Sequence, residues 1–203
     1  MSAQQSQLPA EDLLSFFRFV GKLKTIKRTG WVKRGVHDPE SVSDHMYRMA
    51  LMAMAVGGND SARRDRLIKM ALVHDLAESE VGDIAPGDGV SKEEKFSREE
   101  AAMHHLRDDA LSQSTFGKEL YDLWLEYDQG KTEDARLVKE LDKMEMIVQA
   151  DEYETVQGKD LEEFFESTRG VFHSNVMQDI DRALRSQRIR RKRTASPEDS
   201  GLN

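Results

Sequence analysis

Apolar residues recur at helical spacing along most of the chain, and no stretch shows the alternation that a half-buried strand needs. Leu13, Phe16, Phe17, Val20 and Leu23 line one stripe between Ala10 and about Lys27. A second helix is expected from Ser41 or Ser43, either of which can cap it, to Val56, where Gly57-Gly58 ends the pattern. Further helices are expected over 62–79, 92–111, 117–127, 132–156, 161–168 and 175–189. Residues 31–36 read as a loop or short extended piece. The run from Glu80 to Val90, with three glycines and a proline, reads as a loop of the kind that carries function on a rigid scaffold. The expectation is an all-α protein with one domain over 10–189, a flexible lead-in at 1–9 and a disordered basic tail at 190–203.

Composition narrows the chemistry. With no cysteine among 203 residues, thiolate metal sites, disulfides and cysteine nucleophiles are excluded, so nitrogen and oxygen must hold any metal. The absence of cysteine also fits a reducing compartment. Residues 182–203 carry seven Arg/Lys against two Asp/Glu, which leaves −13 on residues 1–181 of a chain whose net charge is −8. A body this acidic repels a nucleic-acid backbone, so no polymer partner is expected. No apolar run reaches the roughly 20 residues a membrane span needs, and the first residues lack a signal-peptide pattern. The expected location is the cytoplasm, with the nucleus as an alternative through the basic segment Arg190–Arg193.

Four residues sit where a polar side chain needs a reason. His45 shares a helical face with Val42, Met49 and Met52, so its imidazole faces apolar surroundings. His74-Asp75 follows the apolar run Met70–Val73, and burying an Asp without a cation or donors costs several kcal/mol. Asp142 borders a stripe of Leu137, Leu141 and Met144. Two His and two Asp make a nitrogen–oxygen set for a divalent ion such as Mn, Co, Fe, Mg or Zn. The other histidines, His37, His104, His105 and His173, have no such context and read as structural.

In this order the residues resemble the H…HD…D signature of the HD-domain metal-dependent phosphohydrolases. The resemblance is closest to the 5′-deoxynucleotidase branch, the HD domain-containing protein 2 group. It is carried by Arg28–Trp31, Val42–His45, His74–Glu78, Gly82–Pro86, Lys92–Lys95 and Leu141–Glu145, and spans roughly residues 12–170. It implies a helical HD-domain bundle, a homodimer, a divalent metal on His45, His74, Asp75 and Asp142, and hydrolysis of deoxyribonucleoside 5′-monophosphates. The alternatives are an HD hydrolase of another small nucleotide or phosphate ester, and a non-catalytic metal-binding scaffold.

Around the ligand set, Glu78 lies one turn beyond His74, free to orient or deprotonate the attacking water. By the resemblance Asp83 serves catalysis or substrate contact, and Asp83 or Glu78 can protonate the leaving 5′-oxygen. A second arrangement has Glu78, Asp83 and the Ile84 carbonyl hold another hard cation. Arg28 can grip phosphate bidentately, and Trp31 can stack on a base or wall the sugar. Pro86 lies in a resembling segment and is assigned to substrate contact, with Lys92, Lys95 and Lys143 as further phosphate-binding candidates.

Overall fold

The computed structural model describes residues 8–195. Residues 1–7 of the expected lead-in at 1–9 and the last eight residues of the expected tail lie outside them. The described residues form helices, turns and one isolated antiparallel bridge, Lys27 to Ser41, with no strand among them. None of the described helices is long and apolar enough to cross a membrane. Two compact units are distinguished, dividing at Val138 and Lys139 within one long helix.

In the first unit α1 (Ala10–Gly21) starts after Pro9 and ends in a 3₁₀ turn, Lys22–Lys24. Residues 29–33 form a short helix, α2 (Thr29–Lys33), where sequence alone suggested a loop or extended piece. Its cause is tertiary: Asp83, 54 residues further on, accepts the N–H of Thr29 at its first turn. Ser41 starts α3 (Val42–Val56) with a full capping box: the Asp44 N–H donates to Ser41 Oγ at 3.2 Å, and the Ser41 N–H to Asp44 Oδ2 at 2.8 Å. The Ser41 N–H and the Ser41 hydroxyl, which donates to the same Asp44 oxygen at 2.7 Å, hold the Asp44 carboxyl below its ordinary range. Asp60 caps α4 (Ser61–Val73), which packs along α3. The expected single helix over 62–79 is broken: α4 stops at Val73, four residues of turn follow, and α5 is only Glu78–Val81.

α6 (Lys92–His105), capped by Ser91, packs against α5 and passes into a π-helical segment, Leu106–Ala110. α7 (Thr115–Gln129) packs on α4 and ends at Gly130 in the left-handed conformation. Leu23, Met49, Leu67, Met70, Met103, Leu106, Leu111 and Trp124 are almost fully buried.

α8 (Glu133–Gln157) carries the second unit from Lys139 onward, followed by α9 (Glu162–Ser167) and α10 (Asn175–Ala195). Glu140 receives the backbone N–H groups of His173 and Ser174 and the Ser174 hydroxyl, fixing the start of α10. Arg188 donates twice to Glu154 and once to Glu162, each at 2.7 Å, with its guanidinium 3.8 Å from the Phe165 ring centroid. Arg191 grips Asp151 with two bonds of 2.7 and 2.8 Å. These pairs explain a departure from expectation. The basic run Arg190–Arg193 is helical through Ala195, because α8 and α9 supply carboxylates to it and cations suit a helix C-terminus.

Candidate metal centre

The site is built from two helix ends. His45 lies in the first turn of α3, directly behind the Ser41 capping box, and is completely buried. His74 is the residue at which α4 stops, its N–H still bonded to the Met70 carbonyl at 3.0 Å. From there the backbone tightens. The N–H groups of Leu76, Glu78, Ser79 and Glu80 each reach the carbonyl three residues back, at 3.0–3.1 Å. In such a 3₁₀-like turn, residues three apart eclipse, which brings Glu78 to the side of Asp75.

The imidazole of His74 shows what the centre requires. Its Nδ1 lies 2.9 Å from the Ala71 carbonyl oxygen. A carbonyl can only accept, so Nδ1 carries the proton and Nε2 presents a lone pair. Buried Nε2 receives no hydrogen bond, yet it stands 3.0 Å from Asp75 Oδ2. Two acceptors so placed need a cation between them, either a proton or a metal ion. A first-row ion at ~2.1 Å from both nitrogen and oxygen ligands gives a separation of this order. His45 adds a second nitrogen: its Nε2 is 3.8 Å from the same carboxylate oxygen, and a ring nitrogen from each histidine lies within 4.8 Å of the other. The Tyr127 ring packs against His74 with centroids 4.9 Å apart. The residues present therefore fit a divalent cation.

Electrostatics separates the two neighbouring acids. Burial works to raise the Asp75 carboxyl, but His74, Arg28 and His45 outweigh it and hold Asp75 well below the usual carboxylate range. Arg28 Nη1 lies 3.4 Å from Asp75 Oδ2. Glu78 is the opposite case. It is 2% exposed, its Oε2 receives no hydrogen bond, and burial with the charges of Asp75 and Asp83 pushes its pKa well above normal. One acid is a fixed anion, and the other is poised to hold and release a proton.

Past α5, Gly82 at φ +75° turns the chain so that Asp83 meets α2. The Thr29 N–H donates to Asp83 Oδ2 at 2.6 Å, and the Thr29 hydroxyl donates to the Asp83 carbonyl at 2.7 Å. The Ile84 carbonyl accepts from Lys95 Nζ at 3.3 Å, while Lys95 also pairs with Glu99 at 3.4 Å. Burial opposes the Lys95 charge, but Glu99, Glu78, Asp75 and Asp83 outweigh it and raise its pKa. Of the oxygens considered for a second cation, those of Asp83 and Ile84 thus already meet protein donors, and the Lys95 ammonium supplies positive charge there.

Arg28, His45, His74, Asp75, Glu78, Asp83, Ile84 and Lys95 all belong to the first unit. Asp142 and Lys143 are adjacent on α8 in the second unit, Asp142 half-buried and Lys143 exposed, with Lys143 Nζ 3.6 Å from Asp142 Oδ2. Pro86 and Lys92 are exposed. The expected substrate role of Trp31 needs correction. Trp31 is 2% exposed and its indole N–H donates to Glu40 at 2.8 Å, so its ring belongs to the core and offers no open face to a base. Sequence reasoning missed Thr29, Glu40, Tyr127 and Glu99. Only Glu99 left a local signal, as the fourth residue after Lys95.

Comparison with known proteins agrees with this geometry. A model of the HD domain matches residues 20–183. The chain belongs to the HD-domain family. It is 50% identical over 185 residues to 5′-deoxynucleotidase HDDC2 of Danio rerio, covering 89% of this chain and 90% of that protein. It is 51% identical over 180 residues to 5′-deoxynucleotidase HDDC2 of Homo sapiens, covering 87% of each. Among solved structures it resembles a conserved hypothetical protein from Pyrococcus furiosus at TM-score 0.70 and 30% identity, over 85% of this chain and 99% of that one. Of the two His-Asp dipeptides in the chain, His37-Asp38 and His74-Asp75, the second is the pair whose facing acceptors call for a cation.

Proposed function

We propose that this HD-domain protein hydrolyses deoxyribonucleoside 5′-monophosphates to deoxyribonucleoside and phosphate with a divalent metal held by His45, His74, Asp75 and Asp142. The observation that carries it is the lone pair of His74 Nε2 facing the Asp75 carboxylate, with Arg28 beside them. The substrate class is supported by the 5′-deoxynucleotidases of fish and human at about half identity over most of both chains. Asp142 as fourth ligand is supported by its place in the motif order and by its half-buried carboxylate on α8.

A divalent ion held there supplies Lewis acidity, acidifying water and offsetting phosphate charge. The chain's own groups divide the remaining work. Arg28 donates N–H groups to phosphate oxygens, with Asp75 aligning the guanidinium. Glu78 takes the proton of the attacking water and returns one to the leaving 5′-oxygen, a task suited to a carboxyl whose pKa is raised well above its ordinary value. Asp83 holds the substrate-facing loop through Thr29, with Pro86 at its exposed turn. Lys95 offsets acidic charge beside Glu78, while Lys92 and Lys143 are exposed enough to meet a diffusing phosphate. The ion is Mn, Co, Mg, Fe or Zn. A second ion on Glu78, Asp83 and the Ile84 carbonyl is the competing arrangement, and it requires Lys95 to withdraw.

The proposal includes a homodimer, supported by exposed apolar side chains such as Phe17 on α1 and Tyr47, Leu51 and Met54 on α3, and sedimentation velocity tests it. Cytoplasmic residence, with a nuclear share, fits the cysteine-free composition. The activity is tested by phosphate release from deoxy- and ribonucleoside monophosphates with metal-replete protein. Faster release from the deoxy series supports the proposal, and none from any deoxynucleotide contradicts it.

A further inference from the structure

Arg28 is fastened on both sides. On its N-terminal side the chain is tied to the entry of α3: the Val42 N–H donates to the Ile26 carbonyl at 2.9 Å, and the Arg28 N–H to the Glu40 carbonyl at 3.2 Å. That segment leads into His45. On its C-terminal side Thr29 is tied to Asp83 by the two bonds of 2.6 and 2.7 Å, joining residues 54 apart in sequence. That segment follows directly from Glu78. The backbone of Arg28 is thereby registered against both halves of the centre, and the guanidinium reaches Asp75 from a fixed origin.

We propose that Thr29 is a positioning residue: its N–H and hydroxyl clamp Asp83 on both its carboxylate and its carbonyl, and so set Arg28 where it meets the phosphate. The inference rests on the proposed phosphomonoesterase reading, since it gives Arg28 a phosphate to meet. The two bonds have separable consequences. The N–H bond to the carboxylate survives any side-chain change at Thr29, whereas the hydroxyl bond to the carbonyl does not. Thr29→Val keeps the shape and branching of the side chain and removes only that hydroxyl, while Thr29→Ser keeps the hydroxyl and removes only a methyl. Arg28 grips phosphate in the bound ground state and the transition state alike, so loosening it raises KM more than it lowers kcat.

The test compares wild type, Thr29→Val and Thr29→Ser, all metal-replete. Steady-state kinetics with a deoxynucleoside monophosphate and inhibition by inorganic phosphate are measured beside amide hydrogen exchange. For Thr29→Val the expected result is a KM and a phosphate inhibition constant each raised roughly 5- to 10-fold, the size of one lost hydrogen bond, with kcat within about threefold. Amides of residues 28–32 and 82–85 should exchange faster than in wild type, and Thr29→Ser should restore both kinetics and exchange. Unchanged KM and exchange in Thr29→Val, or a Thr29→Ser variant as impaired as Thr29→Val, would overturn the proposal. Absence of turnover by wild type would overturn the phosphomonoesterase reading instead, and the exchange measurement would still decide whether Thr29 clamps the loop.

Discussion

The centre turns on how three residues divide charge. Asp75 is an anion facing the lone pair of His74, so Asp75→Ala should abolish metal binding and activity together. Glu78→Ala should keep the metal on the His45 and His74 side while turnover falls at least ~100-fold, the lower range for a lost general acid–base group. Elemental analysis beside phosphate release checks both. Release of one of two ions from Glu78→Ala would favour the two-ion arrangement. Glu78 also leaves a signature in metal-free protein. Its carboxyl holds its proton well above the ordinary value of 4.5, because of burial and the charges of Asp75 and Asp83. The folded protein then keeps a proton that the unfolded chain has already lost, a penalty absent below about pH 4.5, growing as pH rises to the folded value and constant above it. Glu78→Gln cannot titrate. In chelator it should be more stable than wild type near pH 7, with the gap closing towards pH 4.5; denaturant unfolding across that range checks the sign.

At the scale of elements, the helices with their own local signals were legible in sequence. The Ser41 cap, the apolar face Val42, Met49 and His45, and the stripe through Leu67, Met70 and Ala71 all stand as read, because each is a property of residues three or four apart. Elements held by distant partners were not. α2 depends on Asp83, the arrest of α4 at Val73 depends on tightened turns around the HD pair, and the final turns of α10 depend on the carboxylates of α8 and α9. The second unit tests this view of α10. The Arg188 side chain is 8% exposed and holds Glu154, which is 4% exposed and also receives the Leu161 N–H at 3.1 Å. Arg188→Ala removes the two closest donors of that buried carboxylate, leaving it the Leu161 N–H with Lys192 at 3.4 Å and Arg191 at 3.6 Å. It should lower stability by about 1.5–3 kcal/mol, measured by denaturant unfolding. Removing the α3 cap with Ser41→Ala should cost about 1 kcal/mol.

For the whole molecule, apolar periodicity pointed to a helical chain and composition excluded thiolate chemistry, while the polar side chains of His45, His74, Asp75 and Asp142 beside apolar neighbours raised the expectation of an ion. Sequence left Trp31 open between substrate wall and core and could not reveal that Thr29 is a clamp, since both depend on which surfaces fold over them. An ion bound only by the folded state stabilises the fold as well as the reaction. At ~100 times its Kd a divalent ion adds about 2.7 kcal/mol, which for a chain of this size raises Tm by roughly 5–10 °C. His74→Ala should melt at one temperature with or without metal. The most direct measurement is phosphate release from a deoxynucleoside monophosphate by protein stripped of metal and then titrated with Mn or Co. No release from the stripped protein, recovery on addition of the ion and no recovery in His74→Ala is the expected result. Undiminished release in chelator, or none from the metal-replete wild type, would contradict a metal-dependent centre built on the HD pair.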